Sequence, residues 1–128
     1  MTPGSWAILQ GQIVQDRARN DWYIKHADWA TKHAAPRHEG RAAAYGDVLD
    51  EMDRLLRLPM TTRSPDAWTE LHAYVKEQRG IYHQNATEYG KRPDLETQAE
   101  QAQRARGRVE AYDEVLAYMD SAEKEAGR

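Results

Sequence analysis

The sequence predicts an all-α fold, an antiparallel four-helix bundle in a single domain over residues 1–128. Three observations carry this. Apolar residues recur at helical spacing along most of the chain, no segment alternates with period two for long enough to build a sheet, and prolines fall where helices begin or end. Proline lacks a backbone N–H and has a fixed φ, so it suits the first turn of a helix and stops the one before it. Pro3, Pro36, Pro65 and Pro93 each precede a helical pattern and Pro59 closes one, giving helices at about 4–34, 37–58, 65–89 and 94–125.

The first helix presents Trp6, Leu9, Ile13, Tyr23, Ala27, Ala30 and Ala34 as its apolar face. The second carries a heptad seam through Ala42, Tyr45, Leu49, Met52 and Leu56, widened by Val48 and Leu55, a width that suits contact with two neighbours. Ser64-Pro65-Asp66 opens the third with a capping serine, a proline at the first helical position and an acid in the first turn; Trp68, Leu71, Val75, Tyr82 and Tyr89 form its face. In the fourth, Leu95, Ala102, Val109 and Leu116 recur every seven residues, with Ala105, Tyr112 and Met119 between them.

Residues 40–53 align without gaps on residues 107–120, with eight of fourteen positions identical at an offset of 67. Two readings are open. Either two helices of one bundle converge on similar heptads, or the chain is built from two related helical hairpins about a pseudo-twofold axis. Helices 1 and 3 do not align well at the same offset. Gly40 and Gly107, inside helical sequence, cost about 1 kcal/mol each against alanine. Close helix approach, or for Gly40 a helix start, is the expected compensation.

Leu, Ile and Val total only 17 residues and phenylalanine is absent, so alanine (19 residues), Trp (4) and Tyr (7) must supply much of the core. Cysteine is absent, which excludes a disulfide scaffold, a cysteine zinc site and a thiol nucleophile. The formal net charge is −3, with residues 1–64 at +1 and residues 65–128 at −4. That distribution argues against a nucleic-acid partner, and no signal peptide or membrane-length apolar run is read, so the expected location is cytoplasmic.

The most suggestive surface lies on helix 1, where Trp22, His26, Trp29 and His33 fall at i, i+4, i+7 and i+11 beside Lys25. Residues 17–41 hold six Lys or Arg against three Asp or Glu, and large amphipathic aromatics beside cations suit a protein-docking anchor. The competing expectation is that both tryptophans are core in a chain short of Leu and Phe. His26 and His33 stand roughly 10 Å apart along a helix, too far to share a metal ion, and no metal site or cofactor is expected. Arg104, Arg106 and Arg108 read as solvated surface.

The functional expectation is a non-enzymatic interaction protein: a small helical adaptor, regulator or inhibitor, of the kind found among phage and mobile-element accessory proteins. Its partner is a protein of unassigned identity. The thin core also suggests a homodimer, paired through a heptad face of helix 1 or helix 4. The alternative is a metal-dependent nucleotide or phosphate hydrolase using Asp47, Asp50 and Asp53 with Glu110 and Asp113; the all-helical hydrolases resemble this chain only in being bundles with carboxylate-rich helices, and their paired carboxylate motifs are incomplete here.

Overall fold

The computed structural model describes residues 3–26, 35–57, 67–92 and 94–126. They form four helices: α1 (Pro3–Lys25), α2 (Ala35–Arg57), α3 (Ala67–Gly90) and α4 (Glu96–Ala126). No strand occurs among the described residues. Helix α1 packs on α2, α3 packs on α4, and α2 and α4 join the two hairpins along the middle of the bundle. The fold is therefore the four-helix bundle that the apolar spacing predicts.

The core is one continuous cluster. Leu9 and Ile13 from α1, Tyr45, Val48, Met52 and Leu55 from α2, Trp68, Leu71 and Val75 from α3, and Ala111, Tyr112, Val115 and Met119 from α4 are all buried in it. Two of the heptad positions predicted for the second and fourth helices are exposed. On α2 the buried line runs Tyr45, Val48, Met52, Leu55, while Leu56 is exposed; Leu95 precedes the first residue of α4 and is exposed. At Leu56 the heptad lies one position from the true seam, because the adjacent Leu55 satisfies either register, whereas Leu95 is exposed because it lies in the turn before α4 begins.

The two halves are related by symmetry in both their sequence and their contacts. A side chain at Gly40 would collide with the carbonyl of Arg104, and one at Gly107 with the carbonyl of Arg37. Gly40 matches Gly107 and Arg37 matches Arg104 at the same offset of 67. Each helix thus lays its glycine on its partner's backbone one turn from the partner's glycine, and close approach is what both residues provide. The polar contacts above the crossing follow the same rule. The Tyr45 hydroxyl donates to Glu114 Oε2 at 2.8 Å, while Arg108, beside Tyr112, donates to Asp47 Oδ2 at 2.7 Å. Asp47 and Glu114 are again 67 apart.

The outer helices match at an offset of 62 rather than 67. Trp6 pairs with Trp68, Leu9 with Leu71, Ile13 with Val75 and Arg17 with Arg79, and Thr2-Pro3 with Ser64-Pro65 in the sequence. The five extra residues of the second hairpin fall within its helices, since α3 runs to Gly90 and α4 already starts at Glu96, ahead of the position that matches Ala35, which is why no single offset aligns both. In the fold, Trp6 and Trp68 meet edge to face at 6.5 Å. Arg17 lies over Gly46, and Arg79 pairs with Asp113, the residue 67 positions on from Gly46. These matches and reciprocal contacts favour the reading of two related hairpins about a pseudo-twofold axis.

The fold also revises the reading of the α4 arginines. Arg104 reaches Glu39 on α2 at 2.9 Å, and Arg108 lies 4.5 Å above the Tyr82 ring with only a fifth of its side chain exposed. Both tie α4 to its neighbours instead of forming a solvated surface, because the glycine crossing brings α2 within reach. No described helix is long and apolar enough to cross a membrane.

Candidate functional site

The last turns of α1 end in a ledge of aromatic rings set against the first turn of α2. Its base is polar and buried. Asn20 donates Nδ2–H to the Asp16 carbonyl at 2.8 Å, and its Oδ1 accepts from His38 Nδ1 at 2.9 Å. Asn20 is only 6% exposed, so both amide groups need such partners. This pair fixes the His38 ring, on which Tyr23 stacks at 5.1 Å.

Trp22 and His26 extend the ledge outward. They are one helical turn apart and stack at 4.5 Å with their planes 18° apart. His26 Nδ1 donates at 2.9 Å to the Trp22 carbonyl, which also accepts the His26 backbone N–H at 3.0 Å, and this holds the imidazole over the end of the helix. Tyr23 meets Trp22 edge-on at 5.5 Å. Trp22 is 56% exposed and Tyr23 41% exposed. The ledge is therefore pre-ordered by its own contacts while most of the indole faces solvent.

Charge surrounds this surface unevenly. Glu110 of α4 accepts both hydrogen bonds of the Arg37 guanidinium, at 2.6 and 3.0 Å, and lies 3.9 Å from Arg41 Nε. That Arg41 nitrogen is buried and makes no hydrogen bond. Burial and the neighbouring Arg41 and Arg37 hold the His38 imidazole below its ordinary pKa, against a smaller opposing pull from Glu110, so it is neutral at pH 7. Lys25 is exposed at the rim. Arg37 and Glu110 also line a cavity of about 260 Å³ with Arg106, His83, Ala86, Thr87 and Val109.

Of the residues expected to bind a partner, Trp22, Lys25 and His26 lie together at this end of α1, whereas Trp29 and His33 fall outside the described residues. Tyr23, expected in the apolar seam, belongs to the ledge instead. At its level the α1–α2 contact has turned polar through Asn20 and His38, so the ring is held at the edge of the packing. Asn20 sits four residues after Asp16 on the core-facing side, and that polar pair is the signal in the sequence that the apolar face stops before Tyr23.

The acidic residues of the hydrolase reading are distributed differently. Asp47 accepts from Arg108, Asp53 pairs with Arg57, Glu110 with Arg37 and Asp113 with Arg79. Among the described residues no three His, Asp or Glu side chains converge to hold a metal ion. No protein-family model, curated protein or solved structure matches this chain.

Proposed function

We propose that the protein is a non-catalytic helical docking module that engages a protein partner through the aromatic ledge at the end of α1. The observation that carries this reading is Trp22: a large ring, more than half exposed, ordered by stacking on His26 and by Tyr23. A pre-ordered aromatic loses little entropy on binding and brings large apolar area, the profile of an interface anchor. The exposed Lys25 ammonium at the rim suits a partner whose apolar contact is bordered by a carboxylate. Such a surface supports an adaptor or inhibitor role.

Capture from lysate of the source cell tests the proposal, with wild type compared against Trp22→Ala and Lys25→Glu. Loss of one specific protein from both variants, with helicity and melting unchanged, is the expected result. Equal capture by all three would refute the reading.

A further inference from the structure

The outer face of α1 carries a second seam that no other helix of the bundle covers. Ala7, Gly11, Val14 and Ala18 repeat at alternating spacings of four and three, on the side opposite Leu9 and Ile13, and all are exposed. Ile8 flanks this line and is 65% exposed; Val14 is 49% exposed. The chain carries no charged side chain before Asp16.

The pseudo-symmetry supplies an internal comparison. At the offset of 62 the matching positions on α3 are Thr69, Glu70, Ala73, Lys76 and Gly80, also exposed. The same place in the fold thus bears ordinary solvated polarity on α3 and an apolar seam on α1. Packing inside the protomer gives no reason for the difference. A side chain at Gly11 would meet nothing within 4 Å, whereas Gly40 and Gly107 are each required by a neighbouring backbone.

We infer that two copies of the chain pair through this face, with their α1 helices antiparallel. The seam is self-complementary in that arrangement. Antiparallel heptads set each a position against a d position, which places Val14 of one copy over Gly11 of the other and Ala7 against Ala18, with Ile8 closing the flank. Along the paired strip the two charged residues turn away from the seam, Asp16 buried in the bundle and Arg17 over Gly46, so two molecules of net charge −3 meet there without like charges opposed. From Ala7 to Ala18 the strip is about 17 Å long at 1.5 Å per residue, enough to cover only on the order of 400 Å² per copy. That is about half of a standard interface, so the pairing is weak and reversible. It leaves the two aromatic ledges roughly 28 Å apart along the pair, one toward each end.

Sedimentation velocity on the full chain from about 5 to 200 μM, bracketing that weak affinity, tests this. The mass should rise from 14.7 kDa toward twice that value. Val14→Glu should remain monomeric throughout with unchanged helicity, and Lys76→Glu on α3 should behave as wild type. Since the chain has no cysteine, an Ala7→Cys/Ala18→Cys variant should oxidise to a covalent dimer. Wild type that stays at the monomer mass, or Val14→Glu that still pairs, overturns the inference; an Ala7→Cys/Ala18→Cys variant that dimerises without cross-linking overturns the antiparallel arrangement. None of these outcomes bears on Trp22, whose docking role is read separately by capture with the Val14→Glu monomer.

Discussion

Substituting alanine at Gly40 places one methyl group where α2 rests on α4. Its carbon would overlap the Arg104 carbonyl oxygen and lie 2.8 Å from the carbonyl carbon and 3.0 Å from the Cα. Carbon atoms pack at about 3.5–4.0 Å, so the helices must separate by roughly 1 Å, and a backbone carbonyl cannot rotate aside as a side chain could. Overpacking of this kind costs about 1–3 kcal/mol. The separation also stretches the Tyr45–Glu114 and Arg108–Asp47 hydrogen bonds that span the same two helices. Against these losses, alanine regains about 1 kcal/mol of helix propensity. The net expectation is a loss of about 2 kcal/mol, or on the order of 8 °C in melting temperature for a chain of this size. Gly107→Ala, placed 3.0 Å from the Arg37 carbonyl carbon, should cost a similar amount. Because one separation relieves both clashes, the double variant should lose less than the sum. Gly80→Ala is the control: with nothing within 4 Å of the added carbon, it should stabilise by about 0.5–1 kcal/mol. Urea denaturation followed by circular dichroism reads all four. Gly40→Ala or Gly107→Ala as stable as Gly80→Ala would refute the glycine crossing.

Further expectations follow from the polar contacts. His38 is held below its ordinary pKa in the fold, so the unfolded chain binds a proton first and stability should fall as pH drops below about 6.5; His38→Gln should flatten this part of a melting-temperature profile. Burial, reinforced by carboxylate neighbours, raises the phenols of Tyr45 and Tyr118, and burial outweighs Arg108 to raise Tyr112. Protonated in the fold, they contribute stability that is complete below pH 10 and lost above it, so absorbance titration should show a delayed, cooperative ionisation coincident with unfolding. Arg108→Met keeps much of the side-chain volume but removes the bond to Asp47 and the cation over Tyr82, and should cost about 1–2 kcal/mol in urea denaturation.

The bundle was legible because helical spacing and proline placement are local properties. The heptad of α4 located Ala102, Ala105, Tyr112 and Met119 in the core, and the prolines separated the helices. What depended on neighbouring helices was not legible. Arg108 resembles any surface arginine until the Gly40–Gly107 crossing brings Asp47 within 2.7 Å. Trp22 and Trp68 are alike in the sequence, but Trp68 is buried and donates its indole N–H to Glu123, whereas Trp22 faces outward on α1. The outer seam of α1 was hidden for another reason: apolar residues lie on two opposite faces, so no single stripe stands out. The match of Trp6 with Trp68 was obscured by the five residues that separate the two offsets.

The central claim is that Trp22 is held at the surface for binding and contributes little to the core. Denaturation of Trp22→Ala, measured alongside partner capture, tests it most directly. The account predicts stability within about 0.5 kcal/mol of wild type and loss of the captured protein. A loss of about 3–5 kcal/mol, the cost of deleting a core tryptophan, with capture retained, would contradict it.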